Sequence, residues 1–122
     1  MDVSPEDRKL VTLARTTRAR TQAAEGAALR DADGRTYAAA TVDLPSLRLS
    51  AVQVCVAMAV ASGSRGVEAV VVLGEVAELA PDDRAVLGDF GGDEVVIHVS
   101  GMAADEALAR LVKLIEDRFG ED

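Results

Sequence analysis

Residues Gly26–Asp43 read "GAALRDADGRTYAAATVD", and the fold turns on how this run is read. Its centre, Ala32-Asp33-Gly34, is a turn signal, because glycine takes a positive φ without a Cβ penalty and aspartate tolerates it. Short apolar stretches flank that turn. The pattern predicts a strand over Glu25–Asp31 and a returning strand over Arg35–Asp43, together an antiparallel hairpin.

Toward the N-terminus, Ser4-Pro5-Glu6-Asp7 has the make-up of a helix start. Ser4 can cap, Pro5 suits the first helical position, and the acids suit the positive end of the helix dipole. Leu10, Val11, Leu13 and Ala14 continue it as an apolar stripe to about Arg20. Arg15, Arg18 and Arg20 then read as a solvated, cationic helix end opposing the dipole. Downstream, Leu44-Pro45-Ser46 breaks the returning strand and offers Ser46 as the cap of the next helix. That helix lies in "LSAVQVCVAMAVASG" (Leu49–Gly63), where Gln53 alone is polar between Ala51 and Ala61. A surface helix would show a polar face, so this one needs apolar neighbours on two sides. It stops at Gly63, and Gly63-Ser64-Arg65-Gly66 reads as a turn rather than a phosphate-cradling loop.

Val67–Leu73, bounded by Gly66 and Gly74, is the unbroken apolar run expected of a buried parallel strand. Pro81-Asp82-Asp83 opens a short helix to about Phe90, and Glu94–Val99 is a second buried strand. Asp105–Phe119 is an amphipathic helix with Leu108, Leu111, Val112 and Ile115 on one face. There are no internal repeats. The order α-β-β-α-β-α-β-α predicts one domain over residues 1–122. It is a three-layer α/β/α sandwich whose mixed sheet begins with the antiparallel hairpin and continues with parallel strands.

The bulk numbers narrow the partners. The 122 residues carry a net charge of −8, which disfavours nucleic acid, since phosphate contacts need clustered Lys and Arg. The 2% aromatic content, with no Trp, demands a core of Val, Leu, Ala and Ile. One cysteine excludes an internal disulfide and a Cys-rich zinc site. The start Met1-Asp2-Val3 is acidic where a secretory signal is basic, and no apolar run approaches the ~20 residues of a membrane helix. A cytoplasmic protein with no membrane contact is expected.

The run Gly26–Asp43 resembles the small cytidine deaminases, whose matching segment reads Val-Gly-Ala-Ala, then Asp-Gly, then Gly-x-Asn-Val-Glu. The spacing from Gly26 to Gly34 and on to Thr41-Val42-Asp43 fits without a gap, and Leu114-Ile115-Glu116-Asp117-Arg118-Phe119 is similar to the family's Leu-Leu-Pro-x-x-Phe ending. The resemblance implies a zinc-dependent deaminase fold, in which the metal makes hydroxide and a Glu moves protons. It implies a first zinc ligand and that Glu in Cys-Ala-Glu at the start of the second helix, where this chain has Ser50-Ala51-Val52. It implies two further ligands in Pro-Cys-x-x-Cys at the start of the third helix, where Ala80-Pro81-Asp82-Asp83 stands. The ligand positions there fall among Leu79, Ala80, Asp82 and Asp83. Serine is a poor zinc ligand and valine moves no proton, so Ser50, Val52 and Asp83 mark degenerate catalytic positions. Zinc is expected for the family, and its ligands are absent from the sequence.

The ribose-gripping Asn and Glu of the family match Thr41 and Asp43, which are candidate ligand-binding residues for a small polar molecule. The aromatic pocket wall matches Ala23. Elsewhere, Cys55 reads as a buried, inert thiol and His98 as a satisfied structural imidazole, although the two could form a Cys–His pair. Two functions remain open. One is a catalytically inactive deaminase-like protein acting as a binding, assembly or regulatory module. The other is a nucleoside deaminase, or another hydrolase, with a non-standard site. The resemblance also implies a homo-oligomer, a dimer or tetramer, with the second helix near the contacts between copies, and leaves room for a protein partner.

Overall fold

Residues 4–75, 78–91 and 95–100 are described by a computed structural model. Pro5–Thr21 form α1, which Ser4 caps by accepting the N–H of Asp7 at 3.1 Å. Gly26–Asp31 (β1) and Thr36–Ala40 (β2) are the expected hairpin, antiparallel and in register from Gly26↔Ala40 to Arg30↔Thr36. Gly34 takes φ +89° at its turn, the conformation for which the Asp-Gly pair was suited.

The returning strand does not run on to Asp43 as expected. It breaks at Thr41, whose N–H and Oγ1 are both spent on the backbone of Glu25. Val42–Leu44 (β3) and Leu47–Leu49 (β4) then form a separate two-stranded hairpin. Pro45-Ser46 is its turn, so Ser46 caps no helix; proline's fixed φ suits a turn as readily as a helix start. The cap of α2, Ala51–Ala61, is Ser50.

Val67–Leu73 (β5) pairs antiparallel with β1 and parallel with Val96–Ser100 (β6), giving the sheet order β2-β1-β5-β6. The helix α3, Pro81–Gly91, lies in the crossover between the two parallel strands. Alternation along the strands builds two cores. Leu10, Val11 and Ala14 of α1 pack on Ala28, Ala69, Val71 and Leu73. On the opposite face, Val52, Cys55, Val56 and Ala59 of α2, with Leu87 of α3, pack on Ala27, Leu29, Val70 and Val72. The result is the expected α/β/α layering: α1, the sheet, then α2 and α3.

Among the described residues, the greasy second helix packs on the sheet and α3 through one face. Ala57, Val60 and Ala61 are exposed, and Val60 joins Leu44, Leu47 and Val96 as a large apolar residue about half open to solvent. The amphipathic helix expected over Asp105–Phe119 lies outside the described residues. Among the described residues, no helix is long and apolar enough to cross a membrane.

Candidate functional site

The N-termini of α2 and α3 converge on one polar cluster. Ser50 ends the β3–β4 hairpin in extended conformation and caps α2 through a full capping box: its Oγ accepts the N–H of Gln53 at 3.1 Å, and Gln53 Oε1 accepts the N–H of Ser50 at 2.9 Å. The Ser50 hydroxyl hydrogen goes to Asp83 Oδ1, 2.6 Å away. Asp83 is buried in the first turn of α3, where a carboxylate suits the positive end of the dipole. Two of the positions that the sequence reading singles out, 33 residues apart in sequence, therefore share one short hydrogen bond. The third, Val52, points into the core with no exposed surface.

A residue that sequence reasoning passed over completes the cluster. Glu25 sits just before β1, and its carboxyl accepts the N–H of Ala51. Burial, and then the charge of Asp83, push its pKa above the usual carboxylate value, against the opposing pull of the Ala51 amide and Arg18. The one sequence signal was an acid abutting an apolar strand. Thr41 joins the same neighbourhood, since its Oγ1 accepts the Glu25 N–H at 2.9 Å. Asp43 does not join. It projects from the small hairpin, largely exposed, and pairs with Arg48 at 3.4 Å, a contact worth little in water. Asp82 is exposed on the first turn of α3.

The donors at this place do not fit zinc. A three-ligand zinc centre draws on thiolate and imidazole; here stand one hydroxyl, already donating to Asp83, and two carboxyls, one of them facing the Ala51 amide. Among the described residues, no three His, Cys, Asp or Glu side chains are placed to share a metal ion.

The remaining candidates sit elsewhere. Cys55 is fully buried, its thiol pKa is pushed up to about 12 by burial, and its Sγ donates to the Tyr37 carbonyl oxygen at 3.7 Å. His98 stands opposite Val71 in the parallel ladder, on the α1 face, with Nε2 2.9 Å from Asp7 Oδ2. Cys55 belongs to the α2 face, so the sheet separates thiol from imidazole and they form no catalytic pair. Asp7 also accepts Arg30 Nη2 at 2.8 Å. Burial acts to raise the pKa of Asp7, but its bonds to His98 and Arg30 and their charges outweigh it, and the net direction is down. Of the cationic trio on α1, Arg18 is buried and donates Nε–H to the Ala23 carbonyl at 3.3 Å. It closes the helix end rather than extending into water.

Two helices therefore start at a shared polar cluster beside a mixed sheet in an α/β/α sandwich. The Cytidine deaminase-like family model matches residues 3–104, and the chain belongs to that family. Among solved structures, a mutant cytidine deaminase from Mycobacterium tuberculosis is 26% identical, with 90% of this chain and 95% of that one covered and a TM-score of 0.68. The unmutated cytidine deaminase from Mycobacterium tuberculosis is 25% identical, with coverage of 84% and 90% and a TM-score of 0.66. The cytidine deaminase from Mycobacterium leprae shares the fold at 23% identity, with coverage of 85% and 94% and a TM-score of 0.64. A search of curated proteins found no match.

Proposed function

We propose that this chain is a catalytically inactive cytidine deaminase-like protein, retained as a binding, assembly or regulatory module. The observation that carries the reading is the Ser50–Asp83 hydrogen bond at 2.6 Å, beside a Val52 buried in the core. A water molecule gains hydroxide character near neutral pH only on a metal or beside a strong base, and deaminase chemistry also needs an acid–base carboxyl beside the attacked ring. The half-open Leu44, Leu47 and Val60 support self-association as a homodimer or homotetramer, because apolar surface gains by leaving water. Thr41 and Asp43 are the proposed contacts for a small polar ligand, which would displace the Thr41 hydroxyl from the Glu25 backbone and Asp43 from Arg48.

One observation favours the alternative, a deaminase or hydrolase with a non-standard site. The Glu25 carboxyl, held above its usual pKa beside Asp83, has the character of a proton carrier. Cytidine and deoxycytidine turnover, assayed with and without added zinc, separates the two readings. No uridine or deoxyuridine above the buffer rate is expected. Turnover that disappears in Glu25→Gln would replace the inactive reading with the catalytic one.

A further inference from the structure

We infer that the Ser50–Asp83 pair has taken the structural place of the metal, clasping the N-terminus of α2 to that of α3 without a cation. The inference rests on the reading that this chain has lost its zinc centre. A metal with ligands at the starts of both helices would tie those helices together, and the loss of its ligands would leave the tie open unless something replaced it. The geometry supplies the replacement. Asp83 reaches from the first turn of α3 to the capping hydroxyl of α2, so one side chain bonds the two helices. Ser50 is fixed by its reciprocal bonds with Gln53, and its hydroxyl donates to Asp83.

Charge is met in the same way. Thiolate ligands need a divalent cation to offset their charge. Asp83 instead sits at the positive end of α3, and Glu25 receives the first amide of α2 at Ala51. The partial charges of two helix N-termini thus face the two carboxyls without a cation. The small β3–β4 hairpin gains from the same clasp, since it leads directly into Ser50 and an isolated two-stranded hairpin holds poorly on its own.

Thermal melts test the clasp. The melting temperature of the unaltered protein is expected to be the same in EDTA and in zinc chloride. Ser50→Ala and Asp83→Ala are each expected to lower it by roughly 5 °C, and the double variant by clearly less than the sum, the mark of a shared bond. Asp83→Asn keeps an acceptor oxygen and is expected to lose less than Asp83→Ala; Asp83→Val, which has no acceptor, closes the cycle with Ser50→Ala if Asp83→Ala fails to fold. Strictly additive losses, with no response to zinc, overturn the clasp and leave the inactive reading standing. A melting temperature that falls in EDTA or rises with zinc overturns both.

Discussion

Asp31→Ala is expected to remove about 3–5 kcal/mol of folding free energy, a large share of the 5–15 kcal/mol that holds a domain of this kind. Asp31 ends β1 with no exposed surface. Its Oδ1 accepts the N–H of Asp33 at 2.9 Å and of Arg35 at 2.8 Å, and its Oδ2 accepts the Ser64 hydroxyl. Tyr37 extends the network, with its hydroxyl 3.2 Å from Ser64 Oγ. One carboxylate therefore organises the β1–β2 turn and ties it to the loop after α2. Alanine strands two backbone donors and a hydroxyl, and buried groups left without partners cost about 1–3 kcal/mol each. In urea titration the midpoint should fall with the slope unchanged; a loss under about 1 kcal/mol would refute the account of this network.

The same residue sets an acid limit. Burial acts to raise the pKa of Asp31, but the bonds from Ser64, Arg35 and Asp33, together with the Arg35 charge, prevail and hold it below the usual value. Asp7 is lowered as well. A carboxyl with a depressed folded pKa contributes stability that is present above its unfolded pKa, near 3.9. That contribution is lost as pH falls through the folded pKa. Stability should therefore drop below about pH 4, and the drop should shrink in Asp31→Asn.

Gly26→Ala should be comparably damaging, for a different reason. Here α1 crosses β1 at backbone contact. A Cβ on Gly26 would collide with the carbonyl oxygen of Ala14 and lie 2.7 Å from Cβ of Arg18. A backbone carbonyl cannot rotate aside as a side chain can, so α1 must lift from the sheet and loosen the packing of Leu10, Val11 and Ala14. Overpacking costs about 1–3 kcal/mol where side chains can adjust, and this site should lie at or above the top of that range. Gly34→Ala is the control. It meets no atom within 4 Å and suffers only its positive φ, so it should cost about 1 kcal/mol. Equal losses at the two positions would show that the α1–β1 approach is not the constraint.

Local chemistry made much of this fold legible. Asp33-Gly34 announced its hairpin because the turn type demands such residues, and the run Val67–Leu73 announced a buried strand because both its faces are covered. The Leu44-Pro45-Ser46 stretch misled because proline and serine serve turns and helix starts alike. Pairings made only in three dimensions left no trace. Asp7 meets His98 across 91 positions and Arg30 across 23, and Glu25 looks unremarkable until Asp83 is brought to it. Ser50, Val52 and Asp83 drew notice through the family resemblance; that Ser50 and Asp83 bond to each other was not legible.

Elemental analysis of the purified protein tests most directly whether metal chemistry has been replaced at this site. The protein should be prepared from zinc-supplemented culture without chelators and its metal content measured by plasma mass spectrometry. No stoichiometric zinc is the predicted result, because a hydroxyl and two carboxyls already engaged with protein partners cannot compete with the aqueous ion's own shell as thiolates do. Zinc near one atom per chain, retained through dialysis and lost in Asp83→Ala, would contradict it.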